Sequence, residues 1–311
     1  MTVDLHHAPL LVAGAGIMGA GIAQVAAQAG HPVKLFDARA GAAHDAKRKL
    51  EATFDALVAK GKLDTDNAQV VLARIEPIVA LEEAIGVRLV VEAIVEDLEL
   101  KRALFLQLEP LLGPQCLLAT NTSSISVTAI ANGLEHPSRL VGMHFFNPVP
   151  LMKLVEVVSG LQTDPRAAEA VFELARAWGK TPVHARSTPG FIVNRIARPF
   201  YAETLALLLE QAATPQVLDA CMKAAGFRMG PCELMDLIGH DTNFAVTRSV
   251  FDAYFGDPRF TPSLIQQELV NAGRLGRKSG RGFYDHAAGA PAPVPVTEPS
   301  AALTNGVSVW T

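Results

Sequence analysis

Residues 10–21 read LLVAGAGIMGAG. A short apolar run of strand character leads into Gly14, Gly16 and Gly19 in the spacing G-x-G-x-x-G, and a helical pattern follows. Each glycine has its own use. Gly14 allows the tight turn, Gly16 lets the backbone approach a pyrophosphate, and Gly19 lets helix and strand pack closely. The helix N-terminus adds N–H groups and a partial positive charge, and Ile17 and Met18 complete the loop as expected cofactor contacts. Asp37 ends the next strand, 18 residues past Gly19. A carboxylate there accepts hydrogen bonds from a ribose 2′-hydroxyl and repels a 2′-phosphate, so the pattern predicts NAD; Arg39 is the one neighbour that speaks for NADP. The reaction is not specified, because this fold serves many.

Outward from this loop, short β-rich runs alternate with helical patterns: 9–13, 32–36, 88–94, 116–120, 139–146 and 154–158. The alternation predicts an α/β fold, a Rossmann-like doubly wound sheet over residues 1–187. A long, charged, helix-prone excursion interrupts it over about 40–72, with Lys60-Gly61-Lys62 as a turn between two helices. After STPGF at 187–191 no strand pattern recurs until the tail. Apolar residues instead repeat at three- and four-residue spacing in NRIARPFYAETLALLLEQ and the runs after it. An all-helical domain is therefore expected over 188–286. Its first helix is too apolar to be solvated all round, which predicts burial in a domain or subunit interface. Residues 287–311 are rich in Pro and Ala and read as a tail or linker.

The chain has 311 residues, 50% hydrophobic and 19% charged, with a formal net charge of −4. It carries no long basic block, so nucleic acid is not an expected partner. No signal-like N-terminus and no run of 18 apolar residues is present, which predicts neither secretion nor membrane spanning. Cys116, Cys221 and Cys232 are few and widely spaced, suiting reduced thiols in a cytoplasm rather than a disulfide framework or metal site.

One stretch is chemically odd. Residues 141–158, VGMHFFNPVPLMKLVEVV, look fit for a core except at His144, Asn147, Lys153 and Glu156. Oxidising a hydroxyl by hydride transfer requires a base of near-neutral pKa and a group that fixes its tautomer. His144 and Glu156 fit those roles, since the Pro-bounded turn at NPVP can return a second strand alongside the first.

The segments GAGIMGAGIAQ, VEAIVED, ATNTSSIS, HFFNPVPLMKLVEV, TPGFIVNR and GRKSGRGFY, in this order, resemble the L-3-hydroxyacyl-CoA dehydrogenase family over about 10–285. The resemblance implies NAD-dependent, reversible oxidation of an (S)-3-hydroxyacyl-CoA to the 3-oxoacyl-CoA. It implies His144 as the base and Glu156 as its orienting acid. Ser123 and Asn194 would lie at the substrate and Asn147 beside cofactor and substrate, with a cleft between the domains bringing Asn194 to face His144. Glu96, Lys101 and Lys278 would lie near NAD. Thr53 and Lys60, close to two helical turns apart, would contact coenzyme A. A homodimer through the helical domain is also implied. Two other readings share these residues: a dehydrogenase of free hydroxy acids or sugar acids on a related scaffold, and a non-catalytic NAD-binding module.

Overall fold

The computed structural model describes residues 5–291 together with 294 and 295. Most of the expected tail, from 296 onward, lies outside the described residues. By internal packing the chain divides into two compact units, Met1–Ile192 and Val193–Thr311.

The first unit is built on eight strands: β1 (Leu10–Ala13), β2 (Val33–Phe36), β3 (Ile75–Ile78), β4 (Leu89–Glu92), β5 (Leu117–Thr120), β6 (Leu140–Phe145), β7 (Leu154–Ser159) and β8 (Thr181–Arg186). They form one sheet in the order β3-β2-β1-β4-β5-β6-β7-β8. All neighbours are parallel except β6 and β7, which run antiparallel. The sheet is doubly wound. Helices α1 (Ile17–Gln28), α2 (Ala42–Ala59), α3 (Thr65–Ala73) and α6 (Pro165–Ala177) supply side chains to one core, with Val12, Leu35, Val141 and Val157 from the strands. Helices α4 (Leu98–Leu108) and α5 (Val127–Ala131) supply the other, with Leu11, Val90, Leu118 and Val158. Leu11 and Val12 thus enter opposite cores, as the alternation of side chains along a strand requires.

Two strands exceed those the sequence pattern predicts. Both β3 and β8 are edge strands, and each contains a proline, Pro77 and Pro182. An edge strand tolerates the missing N–H, so a residue that argues against a central strand does not prevent pairing here. The excursion is a helical hairpin, α2 and α3. It is anchored by Ala43, Ala46, Leu50 and Phe54 at three- and four-residue spacing, with Phe54 fully buried. Burying that ring contributes about 1.5–3 kcal/mol and fixes which face of α2 remains outward.

The second unit comprises α7 (Val193–Leu209), α8 (Pro215–Ala224), α9 (Pro231–Ile238), α10 (His240–Ala253) and α11 (Leu264–Asn271), around a core of Tyr201, Leu205, Cys232, Met235 and Tyr284. Its last segment is tied down by Asp236. That fully buried carboxylate accepts the amides of Phe283 and Tyr284 and the Nε2 protons of His240 and His286. A Cβ at Gly282 would lie 2.1 Å from the Asp236 carboxylate, so the glycine of GRGFY is what lets this segment approach. Ile196, Leu207 and Leu209 remain exposed on α7.

Candidate active site

The glycine loop is shaped by three different constraints. Gly14 has φ +108°, and a Cβ there would lie 2.4 Å from the Ala93 carbonyl oxygen. At Gly19 a Cβ would lie 1.7 Å from the Gly14 oxygen. Both positions are therefore closed to a side chain by the protein itself. Gly16 is different: its φ is −70° and a Cβ would meet nothing within 4 Å. Neither backbone conformation nor packing asks for glycine at this position, whereas a ligand passing over the loop does. Gly16 is also the N-cap of α1 and provides no side-chain cap, which leaves the helix end suited to an anion.

Asp37 follows β2 and accepts the Ala15 amide at 2.8 Å, so it is joined to the loop. It also accepts the Arg39 amide and guanidinium. Burial pushes its carboxyl up, but the bonds from Arg39 and Ala15 outweigh this and hold it below the usual carboxylate range. An ionised acceptor at the end of β2 fits a ribose hydroxyl. The open space at Gly16, the uncapped α1 and this carboxylate together fit a dinucleotide. A groove of about 470 Å³ adjoins them, lined by Gly16, Ile17, Arg39, Lys49, Thr53 and Asn147 among others.

Glu92, which the sequence reading passed over, is the hub of the next cluster. It ends β4 fully buried and accepts Lys101 Nζ at 2.6 Å, the Ile94 amide at 2.7 Å and Thr120 Oγ1 at 2.6 Å. Lys101 is 1% exposed and also pairs with Glu96 at 3.3 Å. Glu96 in turn accepts Thr122 Oγ1, the amides of Ser123 and Ser124, and Ser124 Oγ. Burial pushes the Glu96 carboxyl up, yet Lys101 and these hydrogen bonds hold it down. The charged ends of Glu96 and Lys101 thus meet one another and grip the segment that presents Ser123. An acid inside the run LVVEAI, needing buried partners, was the available signal for Glu92.

His144 and Glu156 face each other in the antiparallel register of β6 and β7. Nδ1 of His144 donates to Glu156 Oε2 at 2.6 Å, and both residues are buried. Glu156 Oε1 accepts the Ile192 amide at 3.0 Å. The rings of Phe146 and Phe191 flank the imidazole, with centroids 4.6 and 5.7 Å away. A carboxylate can only accept, so Nδ1 carries its proton and Nε2 is the nitrogen left to exchange one. Asn121, also missed from sequence, accepts the Phe145 amide at 2.8 Å and so joins the segment bearing Ser123 to β6.

Asn147 opens the turn after β6 and lines the groove with Pro148, Val149 and Pro150. Buried Lys180 holds this turn by donating to the carbonyls of Val149 and Met152. Thr53, on the exposed face of α2, lines the same groove and donates to the Lys49 carbonyl. Lys60, the C-cap of α2, is exposed and is not among the groove's lining residues. Met18 packs against the core, whereas Ile17 is 79% exposed. Asn194 and Lys278 belong to the second unit, Asn194 in the first turn of α7 and Lys278 paired with Asp241 at 2.5 Å.

Two family models match the chain: 3-hydroxyacyl-CoA dehydrogenase, NAD binding domain, over residues 10–188, and 3-hydroxyacyl-CoA dehydrogenase, C-terminal domain, over 190–286. The chain is 54% identical over 275 residues to a 3-hydroxyadipyl-CoA dehydrogenase of Escherichia coli K12, covering 88% of this chain and 58% of that relative. It is 44% identical over 276 residues to a probable 3-hydroxybutyryl-CoA dehydrogenase of Deinococcus radiodurans, covering 88% of this chain and 99% of the relative. A solved 3-hydroxybutyryl-CoA dehydrogenase from Escherichia coli K12 superposes with a TM-score of 0.91 at 52% identity, over 94% of this chain and 62% of that one. The chain thus spans less than two thirds of both Escherichia coli relatives and nearly all of the Deinococcus one. With both domain models matched in order along one chain, the protein belongs to the NAD-dependent 3-hydroxyacyl-CoA dehydrogenase family.

Proposed function

We propose that this chain oxidises an (S)-3-hydroxyacyl-CoA to the 3-oxoacyl-CoA and runs the reverse reduction, with His144 as the acid–base residue. The observation that carries the reading is the 2.6 Å bond from His144 Nδ1 to Glu156 on directly opposed, buried strand positions. In the oxidation His144 Nε2 takes the hydroxyl proton. Glu156 keeps Nδ1 protonated and stabilises the imidazolium that forms, while the Ile192 amide holds its second oxygen in place. NAD, when bound, would supply the acceptor for the hydride that leaves C3. The loop of Gly14, Gly16 and Gly19 with Ile17 and Met18 holds its pyrophosphate, and Asp37 its adenosine ribose.

Ser123 contacts the substrate hydroxyl, Asn147 lies beside cofactor and substrate, and Asn194 contacts the substrate. Thr53 and Lys60 hold the coenzyme A moiety. Lys278 adds a charge near NAD, and Glu96 and Lys101 act there by fixing the Ser123 segment. We assign the cofactor to residues 1–187 and substrate binding and homodimerisation to 188–286. The exposed apolar side chains of α7 and the groove lined by Leu209, Leu264, Ile265 and Leu269 support a dimer. Among the described residues no helix is long and apolar enough to cross a membrane. A cytoplasmic enzyme is the setting that suits its free thiols.

The deciding experiment follows NADH absorbance with 3-hydroxybutyryl-CoA, the free 3-hydroxy acid and a sugar acid. Turnover of the thioester above the free acids is expected. Preference for a free acid would overturn the coenzyme A assignment, and no turnover at all would leave a binding module.

A further inference from the structure

A buried ammonium is strongly disfavoured unless partners replace its water, and those partners usually include an acid. Lys101 follows the rule, lying between Glu92 and Glu96. Lys180 does not. It is 8% exposed, and among the described residues it forms no ion pair. Its Nζ donates to the Val149 carbonyl and, at 2.9 Å, to the Met152 carbonyl. These neutral oxygens stand in for solvent only while both converge on the charge, so the loss of either leaves it unmet. The backbone of Lys180 is fixed in turn. Its amide donates to the Ala175 carbonyl in the last turns of α6, and the Thr181 amide donates to the Lys153 carbonyl at 2.7 Å. Lys180 is thus a firm post to which the turn between β6 and β7 is tied.

The same turn is met from α1. The run GAGIMGAG holds a fourth glycine, Gly21, which the spacing G-x-G-x-x-G does not use. Gly21 lies inside α1, where glycine is a poor helix former. A Cβ there would lie 2.9 Å from Val149 Cβ and 3.2 Å from Val149 Cγ2, so the turn rests on the α1 backbone itself. Gly21, Asn147 and Val149 line one groove with Gly16 and Ile17. Val149 therefore has its carbonyl held by Lys180 and its side chain seated on Gly21, two positions after Asn147.

We propose that Lys180 and Gly21 are positioning residues for the cofactor: together they fix how closely Val149 sits on α1, and so place Asn147 at the groove where NAD binds. The proposal rests on the reading of Asn147 as a neighbour of the cofactor. Lys180 acts at one remove, since it is not among the groove's lining residues. A shift of the Val149 backbone passes through Pro148 to Asn147, and hydrogen bonds weaken steeply with distance. A misplacement of about 1 Å can cost up to about 10²-fold, so a small slackening of this turn is enough to be measured.

Calorimetric titration with NAD reads the effect without turnover. Lys180→Met keeps an apolar stem and removes the donors, and it is expected to weaken NAD binding about tenfold, as Asn147→Ala does. In the double variant the second substitution should add less than about threefold, because both act through one contact. Gly21→Ala should also weaken NAD binding about tenfold, and adding Val149→Gly, which frees the space the methyl group needs, should restore it to within about threefold of the wild type. Full additivity of Lys180→Met and Asn147→Ala overturns the proposal. So does a Lys180→Met protein that melts earlier yet binds NAD as the wild type does, because Lys180 then serves stability alone. If Lys180→Met does not fold, Gly21→Ala and its rescue decide, and a loss that Val149→Gly leaves unchanged overturns the proposal. Wild-type NAD affinity in Asn147→Ala overturns the reading of Asn147, and the proposal with it.

Discussion

Glu156 stands directly opposite His144 across the antiparallel pair of β6 and β7, and the two side chains meet at 2.6 Å with both residues buried. A parallel neighbour at the same spacing would need a crossover of a dozen or more residues, so the reversal at Asn147–Pro150 is what lets a base and its partner lie this close in sequence. His144→Gln is expected to lower kcat by about 10²- to 10⁴-fold while leaving NAD affinity near its wild-type value. Glu156→Gln removes the charge that favours the imidazolium but can keep a hydrogen bond, so its loss should be no larger. Steady-state kinetics with an NAD titration decide the matter: wild-type kcat in His144→Gln would remove His144 from the chemistry.

Gly16 and Gly19 separate ligand constraint from packing constraint. Gly19→Ala forces a methyl group to within 1.7 Å of the Gly14 oxygen, and the loop must move to relieve it. Gly16→Ala meets nothing within 4 Å. The second variant should therefore match wild-type stability to within about 0.5 kcal/mol and bind NAD more weakly, whereas the first should lose both stability and NAD binding. Thermal unfolding and NAD titration of the two proteins provide the check. Unchanged NAD affinity in Gly16→Ala would mean the pyrophosphate passes elsewhere.

How much of this could be read from the sequence depends on the range of the contact. The glycine loop and the His144–Glu156 pair were legible because each is local, the first a strand–turn–helix and the second two strands joined by one Pro-bounded turn. The Glu92 cluster was not, since its donors come from Ile94, Lys101 and Thr120, the last 28 residues away. Helix phase hid it further. On α4 the buried side chains are Lys101, Phe105 and Leu108, while Leu100 is 53% exposed, so apolar character alone selects the wrong face. In the second unit Asp236 draws donors from as far as His286, 50 residues on, and nothing in the local pattern around DLIGH announces that junction.

The Glu92 cluster leads to a stability prediction. Glu92→Leu leaves the ammonium of Lys101 buried with the longer contacts to Glu96 and the Ile94 carbonyl and strips Thr120 of its acceptor. Breaking one side of a buried pair costs about 3–5 kcal/mol, enough to bring a domain of ordinary stability close to unfolding. Urea titration should show the midpoint shift. A loss below about 1 kcal/mol, the range of exposed ion pairs, would mean that water reaches Lys101 in solution.

Acid should act on the second unit through Asp236. Burial pushes its carboxyl up, but hydrogen bonds from His240 and His286 and from the amides of Phe283 and Tyr284 outweigh that effect and hold it below the ordinary value of 3.8. The folded protein therefore binds fewer protons at this site than the unfolded chain as pH approaches 4 from above. Its contribution is complete above the unfolded value and is lost as pH falls through the lower, folded one. Asp236→Asn abolishes the titration and weakens the charge-assisted bonds. The variant should be less stable at neutral pH by about 1.5–3 kcal/mol, with the difference narrowing below about pH 4 as the wild type becomes protonated. Hydrogen exchange over residues 193–291, measured between about pH 3 and pH 7, resolves this unit from the first. Parallel pH profiles for the two proteins would show that the Asp236 junction holds its segment by shape, and that its charge contributes nothing.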